Sequence, residues 1–316
     1  MYIIKQPSKI IFGKYSARDY KIPQDSLVIT SKGAKPRGWL DYIGLDKSFL
    51  FDNVEPNPSM EVVTKIVSGF KSTEFSYVIG IGGGSSLDVA KYVAFKLKKK
   101  KIMIPTTFGS GSEVTRISVL KIDGKKKSFH DDQLISDIAI VDPYFIETAP
   151  TKIIKNSAID ACAQCSEGFD SKSGNEYTRF LCEKAFNLLE DGLLNKNNEN
   201  LSLGSLIAGL GFGNCSTTLG HALSYVYSNE GISHGHALAF TTTVAHKFNN
   251  SKFYKRFLKL VRMLNFSNIT LKGNLEEASE LILQDKKHLD NNPRKVTKID
   301  IINLLEIINT NRALDD

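Results

Sequence analysis

Residues 77–91, YVIGIGGGSSLDVAK, join a predicted β-strand to a predicted α-helix through three consecutive glycines. Residues 77–81 form a short apolar run, as in a strand that is buried on both faces of a parallel sheet. The glycines 82–84 let the backbone approach a phosphate closely, and the unpaired amides at the start of the next helix attract an anion. A tight turn could use the same glycines, but their place between a strand and a helix favours a pyrophosphate site.

The same alternation of elements extends outward through the first half of the chain. Further apolar runs occupy residues 26–30, 102–105 and 138–141, and amphipathic stretches occupy residues 60–70 and 87–97. Strands that alternate with helices predict an α/β domain with helices on both faces of a mostly parallel sheet.

The second half has a different pattern. From about Thr151 onward it lacks strand-like runs, and apolar residues recur at helical spacing. These segments are residues 176–190, 201–210, 253–264, 275–283 and 298–308. The sequence therefore predicts an α/β domain over residues 1–148 and an all-α domain over residues 149–316.

Composition and charge exclude several classes of protein to which the chain could belong. The 316 residues are 41% hydrophobic and 24% charged, as in a globular protein, and no apolar run approaches the roughly 20 residues of a membrane span. No signal-peptide pattern opens the chain, so we expect a cytoplasmic location without a membrane partner. The net charge of +7 lies partly in Lys98–Lys101 and Lys125–Lys127, where no aromatic residues interleave. We therefore expect a solvated basic surface and no nucleic-acid partner.

Two further groups of residues could carry chemistry. The hydroxyl-rich residues 104–115, IPTTFGSGSEVT, follow another strand and could line a ligand crevice, although an ordinary loop fits the pattern too. Asp160 and Gln164 share one helical face, and His221 and His234 follow later in the chain. Carboxylate and imidazole ligands suit a divalent metal, but spacing alone cannot join residues so far apart.

Together these motifs resemble the iron-containing, or group III, alcohol dehydrogenase family. The resemblance rests on GGGSSLDVAK, IPTTFGSGSEVT, VDPYFIETAP followed by AIDACAQCSE, and GHALSY with SHGHA, and it covers nearly the whole chain. It implies the dehydroquinate synthase-like fold of that family, with a Rossmann-like α/β domain before an all-α domain. It also implies transfer of hydride between a nicotinamide cofactor and a small aldehyde or alcohol, assisted by Fe²⁺ or Zn²⁺, in a homodimer.

The resemblance implies three sets of site residues. Those at cofactor-binding positions are Ser31, Gly83, Gly84, Ser85, Asp88, Thr106, Thr107, Ser112, Thr115 and Lys126. Those at metal positions are Asp160, Gln164, His221 and His234. His236 and Tyr225 are candidates for proton delivery or substrate contact, and a structural role fits both equally well.

The chain departs from the family pattern in ways that leave alternatives open. Gln164 stands where relatives carry a fourth metal ligand, a histidine, so zinc is as plausible as iron, and a metal-depleted dinucleotide-binding protein without turnover is an alternative. The interval from His221 to His234 is one residue shorter than expected, and the helical domain is compact. A sugar-phosphate cyclase-like lyase shares the architecture, but residues 104–115 argue against it.

The same resemblance narrows the choice of cofactor and of substrate. Ser31, followed by Lys32, stands where NAD-preferring relatives carry an aspartate, and Arg37 lies nearby, which favours NADP(H) over NAD(H). Within the family, HALSY, HGHA and Gln164 most resemble phosphonoacetaldehyde reductases, which form 2-hydroxyethylphosphonate. A basic chain suits such an anionic substrate.

Overall fold

The computed structural model describes residues 1–45 and 48–315. It forms two compact units, Met1–Ala149 and Pro150–Asp316. One residue separates this division from the boundary that the sequence predicts after residue 148.

The first unit is built on a six-stranded parallel sheet. In chain order its strands are β1 (Lys9–Phe12), β2 (Ser26–Ile29), β3 (Phe49–Phe51), β4 (Tyr77–Gly82), β5 (Lys100–Pro105) and β8 (Ile138–Val141), and their order across the sheet is β1-β8-β5-β4-β2-β3. The helices are α1 (Ser16–Asp19), α2 (Trp39–Ile43), α3 (Met60–Phe70) and α4 (Gly84–Leu97), with short 3₁₀ helices at Asp132–Leu134 and Pro143–Ile146.

Both faces of the sheet are buried. Alternate residues of a strand point to opposite faces, and in β4 Val78 belongs to one apolar cluster while Ile79 and Ile81 belong to the other. Helices α3 and α4 cover the first face, with Val63, Leu87 and their neighbours. Burial on both faces explains why the strands appear in the sequence as continuous apolar runs. The predicted parallel α/β domain is confirmed.

An antiparallel hairpin was not anticipated from the sequence. Strands β6 (Ile117–Ile122) and β7 (Lys125–His130) pair with each other and stand apart from the parallel sheet. Their turn consists of Asp123 and Gly124, both with positive φ (50° and 75°), as in a type I′ turn. The basic run 125–127 therefore belongs to a strand, where Lys125 and Lys127 are exposed and Lys126 is half-buried.

The second unit is helical. Its helices are α5 (Thr151–Asp170), α6 (Glu176–Leu194), α7 (Asn198–Phe212), α8 (Leu219–Asn229), α9 (His234–Asn249), α10 (Tyr254–Leu264), α11 (Leu275–Leu283), α12 (Lys286–Asn291) and α13 (Lys298–Asn309). Among residues 150–315 the structure contains no strand. The predicted all-α domain is confirmed.

The central helix α5 is almost fully buried over its second half, where small residues such as Ala161 and Ala163 allow close packing against α6, α7 and α9. Gly235 shows how close this packing is, because a Cβ at that position would lie 2.1 Å from the carbonyl oxygen of Asn156 in α5. The start of α9 is thereby held against α5. Over the described part of the chain, no helix combines the length and the apolar character that crossing a membrane requires.

Candidate functional site

The glycine-rich loop lies at the carboxyl end of the parallel sheet. Strands β5, β4 and β2 are neighbours, so the residues that follow them lie along one edge. Gly83 immediately precedes α4, and a Cβ at that position would lie 3.1 Å from Thr107 Oγ1. A Cβ at Gly84 would lie 3.0 Å from the Cβ of Ser110. The two predicted cofactor loops are therefore in contact. Because glycines have no side chain, residues 83 and 84 leave the backbone at the start of α4 uncovered.

Thr106 supports the fit of a cofactor at this edge. Its amide donates to Gly82 O at 3.0 Å and extends the pairing of β5 with β4. Its hydroxyl is buried, yet it has no hydrogen-bond partner among the described residues. A buried hydroxyl without a partner costs about 1–3 kcal/mol, so a ligand that hydrogen-bonds this hydroxyl would recover that energy. The neighbouring Ser85 hydroxyl accepts a hydrogen bond from Asn57 N at 3.2 Å.

Asp88 and Ser112 hydrogen-bond to each other. The Ser112 hydroxyl donates to Asp88 Oδ1 at 2.6 Å, and Val119 N donates to Asp88 Oδ2 at 3.0 Å. The Lys91 ammonium lies 3.4 Å from Asp88 Oδ1 and donates to backbone carbonyls of Thr115 and Ile117. These buried contacts tie α4 to the loop after β5 and to the hairpin. We interpret Asp88 and Ser112 as supports of the loop. Of the other predicted cofactor residues, Thr115 is buried and Lys126 lies in β7.

Ser31 follows β2 at the same edge of the sheet. The neighbouring Thr30 is fixed by a hydrogen bond from its hydroxyl to Ile81 O at 2.7 Å. Arg37 folds back over this loop, because a Cβ on Gly33 would lie 1.9 Å from the Arg37 guanidinium. That guanidinium also lies 5.2 Å above the Trp39 ring. The cation predicted from the sequence is therefore located beside the loop after β2.

In the helical unit, three of the four predicted metal residues form one cluster. Potential ligand atoms of Asp160, His221 and His234 all lie within 4.8 Å of one another. The Nε2 atoms of both histidines are 3.9 Å from Asp160 Oδ1. Tetrahedral ligands about 2.1 Å from an ion lie roughly 3.4 Å apart. A small contraction around a divalent ion would therefore complete this site, and the residues fit the predicted metal.

Hydrogen bonds select the correct tautomer of both imidazoles. Glu167 Oε2 lies 2.5 Å from His221 Nδ1, and a carboxylate can only accept, so Nδ1 carries the proton. The Ser224 hydroxyl donates to His221 O at 2.8 Å, and its oxygen lies 3.5 Å from His234 Nδ1. In both rings the lone pair is thereby placed on Nε2, the nitrogen that approaches Asp160.

Glu167 is the last residue of the AIDACAQCSE motif, and no role was predicted for it from the sequence. Besides contacting His221, its carboxylate accepts hydrogen bonds from Gly220 N at 2.5 Å and Thr218 N at 3.2 Å, at the start of α8. Burial acts to raise its pKa, but the electrostatic interaction and the hydrogen bond with His221 outweigh burial and hold the pKa at about 2. Glu167 lies seven residues after Asp160, two helical turns along α5, and this spacing is the signal that could have revealed it.

Gln164 occupies the fourth position beside the cluster. Its amide nitrogen donates to Asp160 Oδ1 at 2.9 Å. Its Oε1 is buried and has no hydrogen-bond partner among the described residues. The amide therefore orients the Asp160 carboxylate and leaves one oxygen unsatisfied.

The two predicted proton-delivery candidates occupy different surroundings. The half-buried Tyr225 has its ring centroid 6.2 Å from that of His234 and nearly parallel to it, at 24°. His236 Nε2 lies 2.6 Å from the carbonyl oxygen of Ser267, and its ring packs against Phe240 and Phe266. The structure places Tyr225 beside the metal cluster and gives His236 the contacts of a packing residue.

Comparisons with known proteins identify the relatives of this chain. Residues 7–143 match the family described as iron-containing alcohol dehydrogenase, and residues 154–284 match the C-terminal domain of the same family. The chain is 32% identical over 209 residues to 4-hydroxybutyrate dehydrogenase of Clostridium kluyveri, over 57% of this chain and 56% of that protein. The match thus spans little more than half the length of that relative.

Solved structures resemble the whole chain. An iron-containing alcohol dehydrogenase from Thermotoga maritima superposes with a TM-score of 0.88 at 25% identity, covering 100% of both chains. Sulfoacetaldehyde reductase from Bifidobacterium kashiwanohense, in complex with NAD⁺, has a TM-score of 0.87 at 24% identity, covering 98% of this chain and 99% of the other. Together, the two family matches and these folds show that this chain belongs to the iron-containing alcohol dehydrogenase family.

Proposed function

We propose that the protein is a nicotinamide-dependent, metal-assisted reductase of small aldehydes. The observation that carries the proposal is the cluster of Asp160, His221 and His234, whose imidazoles both direct Nε2 toward the carboxylate. Two histidines and a carboxylate would hold a divalent ion that could also bind a substrate oxygen.

The cofactor supplies a hydride, and the metal supplies a Lewis acid for the carbonyl oxygen. The chain's own residues bind and orient these groups. The backbone at Gly83 and Gly84 accommodates a pyrophosphate at the start of α4, and the unpartnered Thr106 hydroxyl offers a hydrogen bond. Tyr225, beside His234, is the residue we assign to contact the substrate or deliver a proton.

We further propose that NADP(H) is preferred over NAD(H). Ser31 offers no carboxylate to repel a 2′-phosphate, and the Arg37 guanidinium lies beside the same loop. Lys32 is exposed there and adds a second cation. Replacing Arg37 by Gln should raise KM for NADPH more than KM for NADH, whereas equal changes in both constants would contradict this role.

We propose a short aldehyde with an anionic group as substrate, with phosphonoacetaldehyde as the leading candidate. Two similar proteins carry names that denote acidic compounds, 4-hydroxybutyrate and sulfoacetaldehyde. The net charge of +7 favours encounter with an anion. We also expect a homodimer in the cytoplasm, which the mass in solution and cell fractionation would check.

The proposal is tested with an aldehyde panel that includes phosphonoacetaldehyde, run with NADH and NADPH on protein loaded separately with Zn²⁺ or Fe²⁺. Net oxidation of the reduced cofactor is expected, and His221→Ala should abolish it while leaving nucleotide binding intact. A sugar-phosphate cyclase-like lyase would give turnover without net change in the cofactor. Absence of both bound metal and metal-restored turnover would favour the metal-depleted alternative.

A further inference from the structure

Two lysine-rich segments of the first unit meet on one apolar cluster. Residues 91–101 contain six lysines and no acidic residue, and residues 117–130 contain four lysines and one acidic residue. The first segment covers most of α4 and the start of β5, and the second forms the β6–β7 hairpin. The cluster that packs against both segments includes the aromatic residues Tyr92, Phe95 and Phe129. Segments that are separate in the sequence therefore share one side of this unit.

Two aromatic rings bring a lysine of α4 close to a lysine of β7. The Lys96 ammonium lies 5.4 Å from the ring centroid of Tyr92. The Lys127 ammonium lies 5.9 Å from the ring centroid of Phe129. Because the centroids of Tyr92 and Phe129 are only 4.9 Å apart, the two cations occupy neighbouring positions.

Two further lysines extend this surface. Lys99 Nζ lies 5.0 Å from the ring centroid of Phe75, which belongs to the same apolar cluster. Alternate residues of a strand share a face, so Lys125 points to the same side of β7 as Lys127, whereas Lys126 points to the other side. The lysine patch is formed by Lys96, Lys99, Lys125 and Lys127.

The described carboxylates do not neutralise the lysine patch. Within residues 1–45 and 48–315, none of its four ammonium groups forms an ion pair. Like charges that lie close together repel one another, so an anion bound across the patch would relieve this repulsion. A surface of this kind attracts a partner with several negative charges.

The aromatic rings beside the lysines favour one kind of polyanion. Tyr92 is buried, but Phe95 and Phe129 are only half-buried, so part of each ring stays accessible. Sites for single-stranded nucleic acid combine cations that bind phosphates with aromatic rings on which bases stack. The lysine runs themselves contain no aromatic residue, so the sequence alone predicts no nucleic-acid partner, whereas the fold brings rings from α4 and β7 beside the lysines.

We propose that the lysine patch, together with Phe95 and Phe129, binds single-stranded nucleic acid. The four ammonium groups contact phosphates, and the two rings contact bases without selecting a sequence. Lys96 and Lys99 lie at the end of α4 opposite to the glycine-rich loop, since the 14 residues of this helix span about 21 Å. Nucleic acid and NADPH therefore bind independently.

The salt dependence of binding tests the role of the lysines. Fluorescence anisotropy measures the affinity of the full chain for a labelled oligouridylate of about 12 nucleotides. Four phosphate contacts on a single strand predict a slope of about −3 for the logarithm of the association constant against that of the salt concentration. The affinity should therefore fall about 50-fold between about 50 and 200 mM salt.

The double variant Lys96→Gln/Lys127→Gln should weaken binding about 10- to 30-fold and make the slope shallower by about 1.4. The matched control is Lys255→Gln/Lys259→Gln, which removes two exposed lysines from α10 and changes the net charge equally. It should leave the affinity and the slope unchanged. Equal losses in the two double variants would show a general effect of net charge and overturn the proposal.

A poly-glutamate peptide with the same charge as the oligouridylate distinguishes nucleic acid from an acidic protein. Phe129→Leu and, as a second measurement, Phe95→Leu should weaken oligouridylate binding about 5- to 10-fold and leave poly-glutamate binding unchanged. Poly-glutamate bound as tightly as oligouridylate would indicate an acidic protein partner and overturn the proposal.

Two more results would overturn the proposal. One is the absence of oligouridylate binding by the wild type at about 100 µM protein in low salt. The other is displacement of the oligouridylate by NADPH, which would place the nucleic acid at the glycine-rich loop. Thermal unfolding verifies that each variant is folded, so a loss of binding can be assigned to the altered side chains.

Discussion

At the scale of single residues, Glu167 links the start of α8 to the metal cluster. Its carboxylate accepts from three backbone amides, those of Thr218, Gly220 and His221, and from His221 Nδ1. Glu167→Gln removes the charge and places an amide group among donors. We expect zinc affinity to fall about 10- to 100-fold and the free energy of unfolding to fall by about 3 kcal/mol.

Competition with a chelating dye and denaturant unfolding measure these two effects. Glu183→Gln is the matched control, because Glu183 pairs with Lys252 at an exposed site in the same unit. A Glu167→Gln protein that binds zinc as tightly as the wild type would contradict the role assigned to the carboxylate.

Gln164 is the residue at which this chain departs most from its family. In Gln164→His an imidazole would stand four residues after Asp160 and add a ligand to the cluster. We expect the metal dissociation constant to fall at least about tenfold, which corresponds to 1.4 kcal/mol. Gln164→Leu is the comparison, since it removes the hydrogen bond to Asp160 without offering a ligand, and it should weaken binding. Equal affinities in the two variants would contradict a fourth ligand position here.

Residue types in the motifs predicted much of the site, and the predictions failed where function depends on tertiary contact. Asp160, His221 and His234 came from the family resemblance, and the fold brings them together. The contact of His288 with His221 could not be predicted, because it depends on α12 packing beside α8, and no spacing in the sequence joins residues 221 and 288. His236 fitted the motif equally well, but its surroundings are Phe240, Phe266 and Ser267.

At the scale of secondary structure elements, the contact between α5 and α9 contains a buried imidazole. His246 Nε2 lies 2.7 Å from Ser166 Oγ, and the Ser166 hydroxyl donates to Cys162 O. Burial lowers the pKa of His246 to about 4. The folded protein therefore binds fewer protons than the unfolded chain between pH 4 and the ordinary pKa of 6.5, so this contribution to stability is present above pH 6.5 and is lost as pH falls toward 4.

His246→Gln retains a donor for Ser166 but does not titrate. The stability advantage of the wild type over this variant should shrink by up to about 3 kcal/mol between pH 7 and pH 4. Urea unfolding of both proteins in the presence of a chelator, at several pH values, measures the difference. Parallel stability profiles would show that His246 is not buried as a neutral ring.

Replacing Gly124 or Gly69 by alanine should change the stability of the fold in opposite directions. Gly124 has a φ of 75° in the hairpin turn, so Gly124→Ala should destabilise the fold by about 1 kcal/mol. Gly69 lies on the exposed side of α3, with no atom within 4 Å of an added Cβ. Gly69→Ala should therefore stabilise it by about 0.5–1 kcal/mol. Thermal unfolding measures the stability of both variants. A change in the same direction for both would contradict the local geometry at one of the two glycines.

The elements that were predicted well are those with a clear pattern of apolar residues, either continuous or at helical spacing. The four apolar runs became β2, β4, β5 and β8 because burial on both faces requires continuous apolar sequence. The β6–β7 hairpin was missed because its lysines resemble an exposed loop, although the Asp123–Gly124 pair is a common hairpin turn. The edge strands β1 and β3 contain only exposed or half-buried residues, so burial on both faces did not mark them in the sequence.

At the scale of the whole molecule, the two kinds of ligand are assigned to different units. The glycine-rich loop and Thr106 belong to Met1–Ala149, whereas all the metal residues belong to Pro150–Asp316. Dialysis against a chelator should therefore abolish turnover while NADPH still binds, as followed by its fluorescence. Adding zinc should restore turnover. Loss of NADPH binding together with the metal would contradict this division of roles.

Glu167 accepts hydrogen bonds from the first amides of α8 and also orients His221, so one side chain couples the start of that helix to the metal site. A rigid cluster of two imidazoles and one carboxylate accepts several first-row ions, with affinities that follow the general order of those metals. The ion that each molecule carries would then be decided by cellular supply, so protein from zinc-rich and iron-rich cells should differ in activity while sharing one fold.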